Sequence, residues 1–210
     1  MGKISDGTLY LVLSEECCAN RPMVAIAKMA IAGGVGMVQM REKNKSSPEL
    51  LKEGKELRAI CKKAGVRFIV NDDPYLAKKI DADGVHLGQE DIELCSVNRA
   101  RSILGADKLI GLSTHSCEEF EKAVREDIDY AAFGPIFKTK TKDYHIGTGD
   151  VKTVLGIGNK PVFFIGGIDL SNVGELLKMG AKNIAMIRAI AEAPDVEAAA
   201  RSFKKEMMRW

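Results

Sequence analysis

Apolar runs of strand length recur eight times along this chain, with stretches of helical periodicity between them. The runs are TLYLVL (8–13), GMVQM (36–40), RFIVN (67–71), DGVHLG (83–88), KLIGLS (108–113), YAAFGPI (130–136), PVFFIGG (161–167) and NIAMI (183–187). Among the intervening segments, 47–65 is the clearest helix. Leu50, Leu51, Leu57, Ile60, Cys61 and Ala64 form one apolar stripe, Pro48 lies near the start, and Gly65 closes the end. Segments 117–127, 171–180 and 195–209 follow the same pattern. Strands that alternate with helices imply a parallel sheet. Eight such units suggest a sheet closed into a (β/α)8 TIM barrel, an α/β fold. The rival, a doubly wound open sheet, usually has five or six strands and one dominant glycine-rich turn. No GxGxxG or Walker pattern follows a strand here. Nor is there a linker, low-complexity tract or composition shift, so residues 1–210 read as a single barrel domain.

Composition excludes several partners. With 31 basic and 29 acidic residues the net charge is +2, which gives no ground for a nucleic-acid or membrane partner. No apolar run reaches the roughly 18 residues of a membrane helix. The N-terminal MGKISDGTLY lacks a signal-peptide core, and Asp6 stands where a myristoylation signal has Ser or Thr. The five cysteines have no metal-type spacing, and their number is odd, so a reduced, cytoplasmic setting is expected. Oligomeric state stays open, and a homo-oligomer is allowed.

In barrels of this kind chemistry lies at the C-terminal ends of the strands. Gln39, Arg41 and Lys43 alternate after the second run, so an extended chain puts them on one side. Asn71, Asp72 and Asp73 follow the third run, Gln89, Glu90 and Asp91 the fourth, and Ser113, Thr114 and His115 the fifth. FKTKTKDYH follows the sixth run, and Gly166-Gly167 ends the seventh. Each group alone reads as a solvated loop, His115 as a hydrogen-bonded loop residue, and the glycine pair as a turn needing positive φ. Together, six consecutive strand ends carry mutually compatible chemistry. Asp72 and Asp91 end neighbouring strands. Two carboxylates about 4 Å apart repel by roughly 4 kcal/mol at an effective dielectric of about 20. A hard divalent cation relieves that repulsion, and Mg²⁺ is commonly held by one or two carboxylates plus substrate phosphate. Arg41, Lys43 and Lys142 supply the charge that a diphosphate needs. Amides around Gly166-Gly167, at a glycine turn before a helix, suit a separate monophosphate. The residues alone thus point to an enzyme that handles two phosphorylated small molecules with Mg²⁺ between them.

QMREK, IVNDD, DGVHLGQED, GLSTH, GPIFKTKTK and FFIGGI occur in this order. In these motifs the chain resembles the thiamine phosphate synthase (thiamine-phosphate pyrophosphorylase) family over roughly residues 8–205. Each motif alone is weak, but the set is highly specific. The resemblance implies an Mg²⁺-dependent transferase that joins hydroxymethylpyrimidine diphosphate to hydroxyethylthiazole phosphate, giving thiamine phosphate and pyrophosphate. It further implies that Gln39, Met40, Arg41, Glu42, Lys43, Asn71, Ser113 and Lys142 bind the pyrimidine diphosphate. Arg41, Lys43, Lys142 and Ser113 would carry the catalysis, and Asp72 and Asp91 would ligate Mg²⁺. Thr139, Lys140, Thr141, Gly167, Ile187 and Arg188 would line the thiazole phosphate site. Asp73 reads as the start of the next helix, where a carboxylate is favoured.

Two departures stand out. Arg188 occupies a place where the resemblance implies a small hydroxyl residue, and Lys138 follows GPIF where proline is common. Two rivals share the barrel. One is a thiazole tautomerase, for which His115 would suit as an acid/base group. The other is a non-catalytic barrel that binds a phosphorylated ligand. Neither has an evident use for the full diphosphate–metal set.

Overall fold

A computed structural model of the chain describes residues 4–89, 95–140 and 142–210. Eight parallel strands close into a barrel in sequence order. They are β1 (Leu9–Leu13), β2 (Met37–Met40), β3 (Arg67–Asn71), β4 (Gly84–Leu87), β5 (Leu109–Thr114), β6 (Tyr130–Phe133), β7 (Val162–Phe164) and β8 (Asn183–Met186). Closure is made by β1 on β8, with Tyr10 opposite Ala185. The helices are α1 (Met23–Ala32), α2 (Ser47–Ala64), α3 (Pro74–Lys79), α4 (Val97–Leu104), α5 (Cys117–Ala123), α6 (Val151–Gly156), α7 (Val173–Lys178), α8 (Arg188–Ala191) and α9 (Val196–Met207).

The expected alternation is present, and local chemistry explains its punctuation. At the start of α2 the Ser46 amide donates to the Glu49 carboxylate at 2.9 Å, and Gly65 ends the helix at φ 68°. Asp73 caps α3, its carboxylate accepting the Leu76 amide at 2.9 Å. The sixth run, expected to extend over 130–136, is regular strand only over Tyr130–Phe133, and a cis Gly134–Pro135 peptide follows. The seventh is also short, ending at Phe164 before the glycine pair.

Strand alternation separates two cores. Leu9, Leu11, Leu13, Val38, Val70, Val85 and Phe133 face outward under the helices, against stripes such as Leu57 and Cys61 of α2 and Ala200 and Phe203 of α9. Tyr10, Met37, Ile69, Tyr130, Phe163 and Ala185 fill the barrel. Each fully buried Leu or Phe contributes roughly 1.5–3 kcal/mol.

At the N-terminal end of the barrel two braces repeat one design. Asp83, just before β4, accepts the Phe68 amide at 2.8 Å and the Arg58 guanidinium of α2 at 2.9 Å. Asp129, just before β6, accepts the Ile110 amide and the Arg101 guanidinium of α4, both at 2.8 Å. Among the described residues no helix is long and apolar enough to cross a membrane.

Candidate active site

At the opposite, C-terminal end of the strands lies a cavity of about 320 Å³. Its wall includes Gln39, Arg41 and Lys43 at the end of β2, Asn71 and Asp72 at the end of β3, Ser113 from β5, Thr139 and Lys142 after β6, and Ile187 after β8. Nine side chains expected from the sequence, from five different strand ends, therefore meet around one space. A second hollow of about 380 Å³ is lined by Thr139, Lys140, Gly167, Ile187, Arg188 and Glu192. The two spaces share Thr139, Ile165, Gly166, Ala185 and Ile187 as a common wall.

Asp72 sits at φ 62°, in the left-handed region that few residues other than glycine and Asn/Asp adopt. Its backbone amide donates to the His86 carbonyl at 2.8 Å, which extends the β3–β4 ladder by one step. Its Oδ1 accepts the Gly88 amide at 3.0 Å, and its Oδ2 accepts the Asn71 side-chain amide. The carboxylate is therefore oriented on the cavity wall. An all-oxygen donor of this kind, placed among Arg41, Lys43 and Lys142, fits a hard divalent cation shared with phosphate oxygens. Among the described residues no cluster of three or more His, Cys, Asp or Glu side chains forms a protein-only metal cage. Asp91 and Thr141 lie outside the described residues.

Two expected residues direct their side chains elsewhere. Met40 is 2% exposed and packs in the outer core, so only its backbone is at the rim. Glu42 accepts the Glu15 amide from the loop after β1, and burial raises its carboxyl above the usual range. His115 is a hydrogen-bonded loop residue: its Nδ1 meets the Gly134 carbonyl and its amide donates to Glu119 at 2.7 Å.

The glycine pair is dictated by close approach. Gly166 and Gly167 have φ of 98° and 64°. The chain after β6 runs directly against them, the Ile136 amide donating to Ile165 and the Phe137 amide to Gly166, both at 2.9 Å. A Cβ at Gly167 would lie 2.6 Å from the Phe137 carbonyl oxygen. Helix α7 begins only at Val173, after a turn in which Asn172 Nδ2 donates to the Gly167 carbonyl at 2.9 Å. The helix start nearer this hollow is that of α8, at Arg188. Arg188 pairs with Glu192 at the C-terminal end of α8, and among the described residues its buried Nε has no hydrogen-bond partner.

Sequence reasoning missed the polar interior beneath this rim. As sequence, Tyr10, His86 and Tyr130 read only as strand residues, although His86 alternates inward between Gly84 and Gly88. That alternation was the available signal.

Known proteins resemble this chain in sequence and fold. The sequence profile of the family described as thiamine monophosphate synthase matches residues 9–190. The chain is 39% identical over 194 residues to the thiamine-phosphate synthase of Persephonella marina, with 91% of each chain covered. It is 39% identical over 201 residues to that of Halalkalibacterium halodurans, with 94% of each covered. The solved structure of thiamine phosphate pyrophosphorylase from Pyrococcus furiosus superposes with a TM-score of 0.88 at 32% identity, covering 97% of this chain and 96% of that one.

Proposed function

The chain belongs to the thiamine monophosphate synthase family, and from that premise we propose how its residues divide the work of joining a pyrimidine diphosphate to a thiazole phosphate. It is a transferase that forms thiamine phosphate and releases pyrophosphate. The observation that carries the assignment of subsites is the pair of adjoining spaces, one lined by Arg41, Lys43, Asp72 and Lys142, the other by Gly167 and the start of α8. A diphosphate-bearing substrate in the first would lie next to a monophosphate-bearing one in the second, across their shared wall.

In this proposal hydroxymethylpyrimidine diphosphate occupies the first space. Gln39, Asn71 and Ser113 hold its ring and diphosphate, with the backbone at Met40 and Glu42 shaping the β2 rim. Arg41, Lys43 and Lys142 bind the diphosphate and stabilise the charge that gathers on pyrophosphate as it departs. Asp72 and Asp91 would hold Mg²⁺. When bound, that ion neutralises diphosphate charge and orients the leaving group. The C–O bond breaks first, leaving a pyrimidine carbocation, and the thiazole nitrogen then attacks. No nucleophilic side chain or general base is needed, only positioning and charge. Hydroxyethylthiazole phosphate occupies the second space, its phosphate held by Thr139, Lys140, Thr141, Gly167, Ile187 and Arg188. The Arg188 and Ala189 amides precede the first hydrogen bonds of that turn, those of Ile190 and Ala191 to the Ile187 carbonyl, and suit the phosphate oxygens.

Residues 1–210 act in this proposal as one catalytic domain. A cytoplasmic setting suits its five unpaired thiols. The test is pyrophosphate release from the two substrates, with and without Mg²⁺. Release that needs both substrates and the metal, with thiamine phosphate as product, supports the assignment. A folded protein that releases none sinks it. An Asp91→Ala enzyme that kept its turnover would sink the metal assignment alone.

A further inference from the structure

Below the catalytic rim a continuous row of hydrogen-bonding groups crosses the barrel interior. The Gln39 side-chain amide nitrogen donates to the Tyr10 hydroxyl. The Tyr10 hydroxyl lies 3.1 Å from that of Tyr130. The Tyr130 hydroxyl lies 3.1 Å from His86 Nδ1, and His86 Nε2 lies 2.9 Å from Ser113 Oγ. Tyr10, Tyr130, Gln39 and His86 are all buried, and the Tyr130 and His86 rings stack with centroids 5.5 Å apart. Gly111 makes room for the crossing, since a Cβ there would lie 2.5 Å from His86 Nδ1.

The proton positions in this row follow from its first member. An amide nitrogen has no lone pair to offer, so Tyr10 Oη accepts from Gln39. The single proton of Tyr10 is then left for Tyr130, and that of Tyr130 for His86 Nδ1. A neutral imidazole that accepts at Nδ1 carries its proton on Nε2, and that proton goes to Ser113 Oγ. Burial keeps both phenols above their ordinary range and pushes the His86 imidazolium down to about 4, so the tyrosines stay protonated and the ring neutral at pH 7. Ser113 Oγ accepts from His86 and has no other hydrogen-bond partner among the described residues. Its own proton is therefore directed to the cavity it lines.

We infer that His86, Tyr130 and Tyr10 are positioning residues that fix Ser113 as a hydrogen-bond donor to the heteroaromatic substrate, and so select a ring that presents an acceptor nitrogen at that point. Were the row reversed, Ser113 would spend its proton on His86 and offer the cavity only lone pairs. The inference rests on the assignment of Ser113 to the pyrimidine site.

The test begins with the ring nitrogens of ¹⁵N-histidine-labelled, ligand-free protein at pH 7. The expected spectrum has the His86 proton on Nε2 and an unprotonated Nδ1. A proton on Nδ1, or a charged ring, overturns the inference. Tyr130→Phe removes the donor to Nδ1. It is expected to give a mixture of His86 tautomers and a kcat lowered about tenfold, the size of one misdirected hydrogen bond, with KM for the pyrimidine diphosphate within about twofold. Wild-type kcat in Tyr130→Phe also overturns the inference. The spectrum needs no substrate, so it separates failure of the row from failure of the synthase assignment, and it decides alone if Tyr130→Phe does not fold.

Discussion

The Gly88 amide donates to Asp72 Oδ1 at 3.0 Å, so the acid at the end of β3 is aimed by the segment that follows β4. Asn tolerates left-handed backbone and can accept the same amide. Asp72→Asn should therefore fold with near wild-type stability while losing the charge that a cation needs. Turnover is expected to fall by at least about 100-fold, with a raised Mg²⁺ requirement, read by pyrophosphate release across a metal titration.

Gly167→Ala tests the second hollow. It combines a positive φ with a Cβ 2.6 Å from the Phe137 carbonyl, and the neighbour is backbone that cannot swing aside. A destabilisation of about 2 kcal/mol or more is expected from the strained backbone and the clash together. KM for the thiazole phosphate should rise more than KM for the pyrimidine diphosphate. Urea denaturation and steady-state kinetics check the two parts.

Glu192 sits in the same hollow as Arg188 and holds its guanidinium. A bound phosphate would compete with that carboxylate. Glu192→Gln frees the arginine, so KM for the thiazole phosphate should fall several-fold at low salt, and the gain should shrink as ionic strength rises. An unchanged KM at every ionic strength would remove Arg188 from the phosphate site.

His86 also makes stability depend on pH. Its folded pKa is depressed from 6.5 to about 4 by burial. Above pH 6.5 the ring is neutral in both states, and this contribution to stability is complete. Between 6.5 and 4 the unfolded chain takes up a proton that the folded one refuses, so stability falls as the pH falls. From pH 7 to pH 5 the wild type should lose about 2 kcal/mol more than His86→Gln, measured by urea denaturation.

The barrel was legible because eight apolar runs with helical spacers leave few alternatives, and the rim because its polar side chains sit where strands run out. What the sequence concealed depends on register between strands. That Gly111 stands beside Tyr130 and His86 follows from the pairing of β4 with β5 and of β5 with β6. No single run carries that information. Likewise Met40 lies inside QMREK, yet strand alternation turns its side chain to the outer core. A motif marks a stretch of chain, but the period of two decides which of its members meet the substrate.

The braces at Asp83–Arg58 and Asp129–Arg101 fasten helices to strands at the end of the barrel opposite the proposed substrate spaces. Anchorage and chemistry thus occupy opposite poles of the molecule. A lineage carrying this chain can exchange loops at the upper pole, and with them its choice of ring or phosphate, while the lower pole goes on holding the same cylinder shut.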